Sequence, residues 1–268
     1  MPGLFTIVSP AKTLDMEADA SPVEASTTRP RLAAQTRSLA GELRDYSAKR
    51  LEKLMSISTK LADLNAERWQ AFGTRSNPRR SAALCFRGDV YQGLEAWTMK
   101  GPSMKWAQDR LRILSGLYGL LRPLDVIQPY RLEMGTRLKT DRGPDLYTFW
   151  GDRINALLRA DMAEVGATAL VNLASDEYSK AARLEELDVP VVNVKFLQVD
   201  KGKAKFMSFY AKQSRGLMAR WMSDTRPRTV EALAGFDVQG YRLQKKDSTG
   251  DTLVFSRPKP APMSAKAG

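Results

Sequence analysis

The chain has 268 residues, of which 43% are hydrophobic, and it carries 42 Lys and Arg against 30 Asp and Glu, a net charge of +12. A basic excess of this size favours polyanionic partners, with nucleic acid first and an anionic membrane second. The chain has no histidine and one cysteine, which excludes His-dependent catalysis, disulfides and cysteine metal clusters. We therefore predict no metal site and no cofactor.

The positive charge is concentrated in two regions of the sequence. Residues 201–228 contain eight Lys and Arg but only one acid, Asp224, and residues 100–142 contain nine against four acids. No segment approaches 18 consecutive apolar residues, and the amino terminus lacks the pattern of a signal peptide. We predict a soluble, cytoplasmic protein without a membrane partner, in which Cys85 is a buried structural thiol.

Strands and helices alternate in the first half of the sequence. The predicted elements are a buried strand at 4–9, a loop at 20–31, helices at 37–55 and 61–72, a strand at 81–86, and helices at 90–97 and 104–114. Ser58 is the expected N-cap of the second helix. Two glycines, Gly116 and Gly119, then interrupt an apolar run, and glycine in a helix costs roughly 0.5–1 kcal/mol relative to alanine. The chain is therefore predicted to turn there.

The second half continues the alternation and ends in a hairpin. The predicted elements are an extended stretch at 130–138, a helix at 145–165, strands at 167–174, 189–196 and 203–210, helices at 175–187 and 211–222, and a hairpin at 241–257. Interleaved strands and helices predict one compact α/β (mixed α+β) domain over residues 1–257, with a mixed sheet surrounded by helices. Residues 258–268, rich in Pro, Ala and Lys, are expected to be a disordered basic tail.

Seven stretches of the sequence together resemble the YaaA family of bacterial peroxide-stress proteins. They are VSPAKTLD (8–15), LMSISTKLADLNAERW (54–69), FRGDVYQGL (86–94), RILSGLYGLLRPLDVIQPYRLEMG (112–135), LYTFWGD (146–152), LVNLASDEYSK (170–180) and FYAKQSRGLMARW (209–221). The resemblance implies a cytoplasmic, peroxide-induced protein with a positively charged cleft, which protects DNA or assists its repair and is associated with limiting free iron. It also implies a DNA-binding helix-hairpin-helix, which we place near residues 104–124.

The glycine pair is the candidate hairpin of that motif. In a helix-hairpin-helix, backbone N–H groups near the glycines approach a DNA phosphate. Gly116 and Gly119, with Arg110, Arg112 and Arg122 beside them, would make these contacts, although two residues separate the glycines where the motif has one. The alternative is a tight packing turn between buried elements.

Lys12 is a second candidate, because it follows the carboxyl end of a predicted strand. Ligand sites of α/β proteins lie at such ends, where Lys12 could meet a phosphate as a point charge. Ser9 and Lys12 also have the Ser-x-x-Lys spacing of acyl-transferring serine enzymes. That interpretation is disfavoured, because the pair in those enzymes opens a helix.

The remaining candidates lie in the second half of the chain. Lys180 follows Ser175, Asp176 and Glu177, which on their own are typical of a helix start. Further basic residues, expected on a helix face or beside it, are Lys205, Lys212, Arg215 and Arg220. They are interpreted as phosphate contacts, and a solvated helix face is the alternative.

Two classes of function follow from these observations. The first is a DNA-binding protein with little sequence specificity, whose partners are double-stranded DNA and branched or repair-intermediate DNA. The second is an enzyme acting on a nucleotide or nucleic acid, with Lys12, Asp176, Glu177, Lys180 and Lys212 in one cleft. No catalytic residue is assigned. Direct iron binding is disfavoured, because the chain lacks the nitrogen and sulfur ligands that ferrous iron needs.

Overall fold

A mostly parallel sheet of eight strands organises the chain. The computed structural model describes residues 2–17 and 26–260. The strands are β1 (Gly3–Val8), β2 (Thr13–Leu14), β3 (Arg80–Ser81), β4 (Phe86–Arg87), β5 (Leu111–Ser115), β6 (Gly119–Leu121), β7 (Val126–Ile127), β8 (Ala167–Leu173), β9 (Val191–Asp200), β10 (Lys203–Lys205), β11 (Arg242–Leu243) and β12 (Thr252–Pro258). The large sheet has the order β11-β12-β9-β8-β1-β5-β6, and β10 pairs with β9.

Helices surround this sheet and complete a single mixed α/β domain, which confirms the predicted fold class. They are α1 (Ala33–Arg44), α2 (Ala48–Met55), α3 (Thr59–Ala71), α4 (Ala82–Cys85), α5 (Asp89–Leu94), α6 (Gly101–Arg110), α7 (Leu146–Trp150), α8 (Arg153–Glu164), α9 (Asp176–Ser179) and α10 (Ser208–Thr225). Short 3-10 helices occupy Ala96–Thr98, Lys180–Ala182, Leu184–Glu186, Glu231–Gly235 and Val238–Gly240. None of the helices in the described part of the chain is both long enough and apolar enough to cross a membrane.

Strand β1 lies in the interior of the sheet, and its six residues are all buried. It pairs in parallel with β5 on one side and β8 on the other. An apolar strand with no polar alternation is expected where both faces of a parallel sheet are covered. Because β1 and β8 run in the same direction, the loops that follow them emerge at the same edge of the sheet.

Several predicted elements have different bounds in the structure. The helix expected at 37–55 is two helices, because the Ser47 side chain accepts the Arg50 N–H and starts α2. The strand expected at 81–86 is mostly the short helix α4, whose first amides donate to the carbonyls of Pro123 and Asp125. The helix expected at 145–165 breaks at Gly151, which has φ +49°.

The helix-hairpin-helix expected near 104–124 is not confirmed. The first helix, α6, ends at Arg110, and the chain then continues as β5, a turn and β6. The two strands form an antiparallel hairpin in which Ser115 pairs with Gly119. The backbone of β5 pairs in parallel with β1. This tertiary pairing outweighs the local helical pattern of the sequence.

The end of the chain follows the predicted hairpin. β11 and β12 are antiparallel, and β12 also pairs in parallel with β9 through Pro258. Of the expected loop at 20–31, residues 20–25 lie outside the described residues. Of the expected tail at 258–268, residues 261–268 also lie outside them.

Candidate functional site

The basic pocket lies where the loops after β1 and β8 meet. It is a cavity of about 280 Å³. Its lining consists of residues 9–13, 87–91 and 130–133 together with Ser175, Glu177, Tyr178, Lys212 and Arg215. Ligands of parallel α/β sheets commonly bind at this carboxyl edge.

Two serines join the loops that follow β1 and β8. The Ser9 hydroxyl oxygen accepts the backbone N–H of Ser175 at 2.9 Å, and the two hydroxyl oxygens lie 3.2 Å apart. Ser175 occupies the N-cap position of α9 as predicted, but its side chain makes no capping hydrogen bond. The Tyr91 hydroxyl donates to the Ser9 carbonyl at 3.2 Å, which ties the same loop to α5.

One carboxylate, Glu133, forms ion pairs with two of the cations in the basic pocket. Its Oε2 lies 2.6 Å from Lys12 Nζ, and its Oε1 lies 3.2 Å from Arg131 Nη2. The Glu133 side chain is 27% exposed, whereas that of Lys12 is 60% exposed. Lys12 therefore belongs to the rim and is already paired.

Helices α10 and α5 pack closely because each has a glycine where they cross. A Cβ placed on Gly216 would lie 1.7 Å from the Val90 carbonyl oxygen, and one on Gly93 would lie 2.1 Å from the Gln213 carbonyl oxygen. Real Cβ atoms do not approach so closely, so both positions require glycine. This crossing brings the amino-terminal half of α10 against residues 88–90 of the basic pocket.

The two cations that α10 contributes to the basic pocket make no hydrogen bond or ion pair within the described part of the chain. Lys212 and Arg215 line the basic pocket, and neither forms a hydrogen bond or ion pair with any other described residue. Burial lowers the pKa of Arg215, and the neighbouring Asp176 carboxylate opposes this effect. A desolvated guanidinium with no carboxylate in direct contact is costly, so the position favours an anionic ligand.

Tyr178 and Glu177, on α9, also line the basic pocket. Burial, reinforced by the charge of Glu177, raises the pKa of Tyr178 far above its usual value, so the phenol stays protonated. Tyr178 can donate a hydrogen bond to a ligand but cannot act as a base. Glu177 accepts the Gly135 N–H at 2.8 Å, which fixes its carboxylate beside residues 130–135.

The charges that line the basic pocket sum to an excess of two positive charges. The cations are Lys12, Arg87, Arg131, Lys212 and Arg215, and the carboxylates are Asp89, Glu133 and Glu177. Guanidinium and ammonium donors, with serine hydroxyls beside them, suit the oxygens of a phosphate.

The five residues expected in one cleft are divided between two sites. Lys12, Glu177 and Lys212 line the basic pocket, whereas Asp176 and Lys180 line a neighbouring depression with Asn172 and Asp251. Lys180 Nζ lies 5.1 Å from the centre of the Tyr147 ring. The expected single cluster of five is therefore wrong.

Arg112 was expected to contact a DNA phosphate beside a hairpin, but its side chain lies in the core. It is 4% exposed, its Nε lies 2.5 Å from Asp161 Oδ2, and its guanidinium lies over the Phe5 ring. Asp161 also accepts a hydrogen bond of 2.6 Å from Arg31. Arg112 therefore belongs to a buried ion-pair cluster that joins β5 to α8.

The glycine pair also lies in the core. A Cβ on Gly116 would lie 2.3 Å from the Leu132 carbonyl oxygen, and one on Gly119, where φ is +69°, would lie 2.8 Å from the Trp150 ring. The Trp150 indole N–H donates to the Gly116 carbonyl at 3.0 Å. Close packing accounts for both glycines, which was the alternative interpretation of this segment.

The other arginines expected to bind phosphate are engaged within the protein. Arg110 donates to the Val165 carbonyl at 2.8 Å, at the amino end of β1 and away from the basic pocket. Arg122 pairs with Asp125 at 3.0 Å. Arg220 pairs with Asp224 and donates to Thr98 at 2.6 Å.

Among the candidates in the second half of the described chain, Lys205, Lys212 and Arg215 form no hydrogen bond or ion pair with another described residue. Lys180 contacts the Tyr147 ring. Lys205 lies on the exposed edge strand β10. Arg87, Arg131 and the Ser9–Ser175 pair are pocket residues that we did not predict. The positions of the two serines could have been predicted from the sequence. Ser9 and Ser175 each come within two residues of the end of a buried strand, and parallel strands end at the same edge of a sheet.

The fold and the basic pocket define a mixed α/β protein with a positively charged site at the carboxyl edge of a mostly parallel sheet. The family model described as peroxide stress protein YaaA matches residues 4–247. The chain belongs to this family, which supports a role in oxidative stress.

Curated relatives match over nearly their full lengths. A UPF0246 protein of Phenylobacterium zucineum is 47% identical over 262 residues, covering 98% of each chain. One of Caulobacter vibrioides is 46% identical over 257 residues, covering 96% of this chain and all of the relative. One of Marinomonas is 47% identical over 258 residues, covering 95% of this chain and 97% of the relative.

Proposed function

We propose that the protein serves the peroxide-stress response by binding DNA, with a phosphate held in the basic pocket and little dependence on base sequence. The observation that carries this proposal is that Lys212 and Arg215 line the basic pocket and form no hydrogen bond or ion pair with any other described residue. A phosphate there would supply the direct ionic contact that the described residues do not make. The net charge of +12 would draw DNA towards the site over a longer range.

The dimensions of the basic pocket restrict what part of DNA can enter it. At about 280 Å³ it lies near the lower end of small-ligand sites, which span roughly 300–1,000 Å³. It therefore suits one phosphate or one nucleotide rather than a section of duplex. A strand end, a gap or a branch point would offer such a unit, which supports repair intermediates as partners.

The proposal is tested by DNA binding at several salt concentrations. Arg215→Ala and Lys212→Ala should weaken binding to a gapped duplex about equally for different base sequences. Each should also lower the slope of log affinity against log salt by about one. Both variants should keep their thermal stability, because neither side chain bonds to another described residue.

Two matched variants serve as controls for the loss of a positive charge. Arg159→Ala and Lys60→Ala remove exposed cations of α8 and α3 that do not line the basic pocket. They should leave affinity and salt slope close to wild type. Pocket variants that bind as tightly as these controls would reject the basic pocket as the DNA site.

A second candidate function is an enzyme that acts on a nucleotide. The observation that favours it is the combination of cations with the Glu177 carboxylate, the protonated Tyr178 phenol and the Ser9–Ser175 hydroxyl pair in one small cavity. Titration with a deoxynucleoside monophosphate tests it, followed by chromatography after incubation with the corresponding triphosphate. Glu177→Gln should abolish any conversion while leaving binding measurable.

We propose that the link between this family and free iron is indirect in this protein. The chain has no histidine, and its single cysteine is buried. Oxygen ligands alone would leave ferrous iron in competition with abundant magnesium. Calorimetry with ferrous iron in excess magnesium should show no tight stoichiometric site.

A further inference from the structure

Two phenylalanines stand out on the surface near the start of α10. Phe206 is 62% exposed and Phe209 is 50% exposed, the largest values among the large apolar side chains in the described residues. Phe206 follows the edge strand β10, and Phe209 lies in the first turn of α10. Large apolar residues this exposed and this close together commonly mark a binding surface.

Lysines lie on both sides of the two phenylalanines in the sequence. The stretch 201–212 contains four lysines and no acidic residue. Lys203 and Lys205 are two apart on β10 and therefore project to the same side of the strand. Asp200 lies opposite Lys203 in the hairpin, but its carboxylate pairs with Lys259 at 3.5 Å. The surface formed by Lys203, Lys205, Phe206, Phe209 and Lys212 is called the aromatic–lysine surface below.

The aromatic–lysine surface continues into the basic pocket. Lys212 is three residues after Phe209 on α10, and Arg215 is three residues after Lys212, so each neighbouring pair lies on adjacent parts of the helix surface. Lys212 belongs to both sites, because it also lines the basic pocket. A ligand that crosses the phenylalanines can therefore reach Arg215 without leaving a positively charged track.

We propose that Phe206 and Phe209 stack against unpaired bases of single-stranded DNA, whose backbone passes over Lys212 into the basic pocket. The inference rests on the proposed DNA-binding function and names the part of the DNA that is recognised. Exposed aromatic rings beside lysines suit this partner, since bases offer flat faces and phosphates offer charge. In a duplex those base faces are already stacked on each other.

An anionic membrane would also accept aromatic and lysine side chains. The continuity with a concave pocket of about 280 Å³ favours the strand, because a flat lipid surface could not use Arg215. Binding to vesicles is therefore measured as a competing outcome.

The test compares a labelled single strand with a blunt duplex of the same length. Phe206→Ala with Phe209→Ala should weaken single-strand binding by about tenfold or more. The loss of two stacked bases is expected to lower the affinity by at least this factor. Blunt-duplex binding should change little. The salt slope for the single strand should stay at its wild-type value, because phenylalanine carries no charge.

Three further variants separate stacking from charge and from general surface change. Phe206→Tyr with Phe209→Tyr should retain single-strand binding, since the ring is kept. Lys203→Ala with Lys205→Ala should lower the magnitude of the single-strand salt slope by about 1.4. Leu61→Ala with Leu64→Ala removes two exposed large apolar side chains of α3 and should have no effect.

The outcomes distinguish this inference from the proposed function. If the alanine pair at Phe206 and Phe209 binds the single strand like wild type, while Arg215→Ala weakens DNA binding, the stacking inference alone is overturned. If wild type binds neither single strand nor duplex, both proposals fail. Phenylalanine-dependent binding to phosphatidylserine vesicles, without phenylalanine-dependent binding to the strand, would assign the surface to a membrane.

Discussion

Arg112 and Asp161 form an ion pair inside the protein, with Arg112 Nε 2.5 Å from Asp161 Oδ2. Their side chains are 4% and 2% exposed. Arg31, which is 28% exposed, donates to the same carboxylate from the edge of the core. The cluster connects β5 to α8 and holds a helix against the half of the sheet that carries the β5–β6 hairpin.

Removing the guanidinium from this cluster should destabilise the protein. Arg112→Ala leaves a buried carboxylate with only one partner, and breaking a buried pair costs about 3–5 kcal/mol. Urea unfolding measures the loss. Lys105→Ala, which breaks the exposed pair with Asp109, should cost less than about 1 kcal/mol. Equal stability of the two variants would show that the buried pair contributes little.

The same cluster predicts acid sensitivity. Burial alone would raise the pKa of Asp161, but hydrogen bonds from Arg31 and the charge of Arg112 outweigh burial and lower the pKa below its usual range. A carboxyl whose pKa is lowered by folding stabilises the protein above the unfolded pKa, and this stabilisation is lost as pH falls through the folded value. The free energy of unfolding should therefore drop more steeply below about pH 4 in wild type than in Asp161→Asn. Parallel pH profiles would contradict the assignment.

The crossing of α5 and α10 predicts opposite effects for two glycine-to-alanine changes. Gly216→Ala would place a Cβ against the Val90 carbonyl, so α10 must shift, at a cost of about 1–3 kcal/mol. Gly41→Ala, in the middle of α1, meets no atom within 4 Å and should stabilise the protein by about 0.5–1 kcal/mol. Thermal unfolding of both variants checks the sign. DNA binding should also weaken in Gly216→Ala, since the same shift displaces Lys212 and Arg215.

Cys85 should not act as a peroxide-reactive thiol. It is fully buried, as predicted, and burial raises its pKa to about 12. Only the thiolate reacts rapidly, so at neutral pH the native thiol should resist both hydrogen peroxide and a thiol-specific chromogenic reagent. Reaction should begin once the protein is unfolded in urea. Mass spectrometry showing rapid oxidation of native Cys85 would contradict this prediction.

Elements with a strong local pattern could be predicted from the sequence. The fully buried β1, the strand β8 and the N-cap Ser58 of α3 are present, and the Ser58 side chain accepts the Leu61 N–H. Their signals lie within a few neighbouring residues. The location of Lys12 after β1 was also predicted, because it needed only the direction of one strand.

The β5–β6 hairpin and the role of Arg112 could not be predicted in the same way. The stretch 111–115 has helical spacing, but parallel pairing with β1 decides its conformation, and β1 lies about a hundred residues earlier in the chain. Arg112 resembles a surface cation until Asp161, on another helix, is placed beside it. Both residues are arginines in basic stretches of the sequence, so the charge pattern could not show that Arg112 lies in the core and Arg215 in the basic pocket.

The hydrogen bond between Ser9 and Ser175 has a consequence for how the protein is made. It joins residues that are 166 positions apart, and the partnerless cations of α10 come still later in the chain. During synthesis, the loop after β1 leaves the ribosome first. The basic pocket can form only after β8 and then α10 have also been made. Contacts this distant in sequence form late in folding. A translation product that stops before residue 215 would therefore lack Arg215, and the proposed phosphate site would be incomplete until α10 is made.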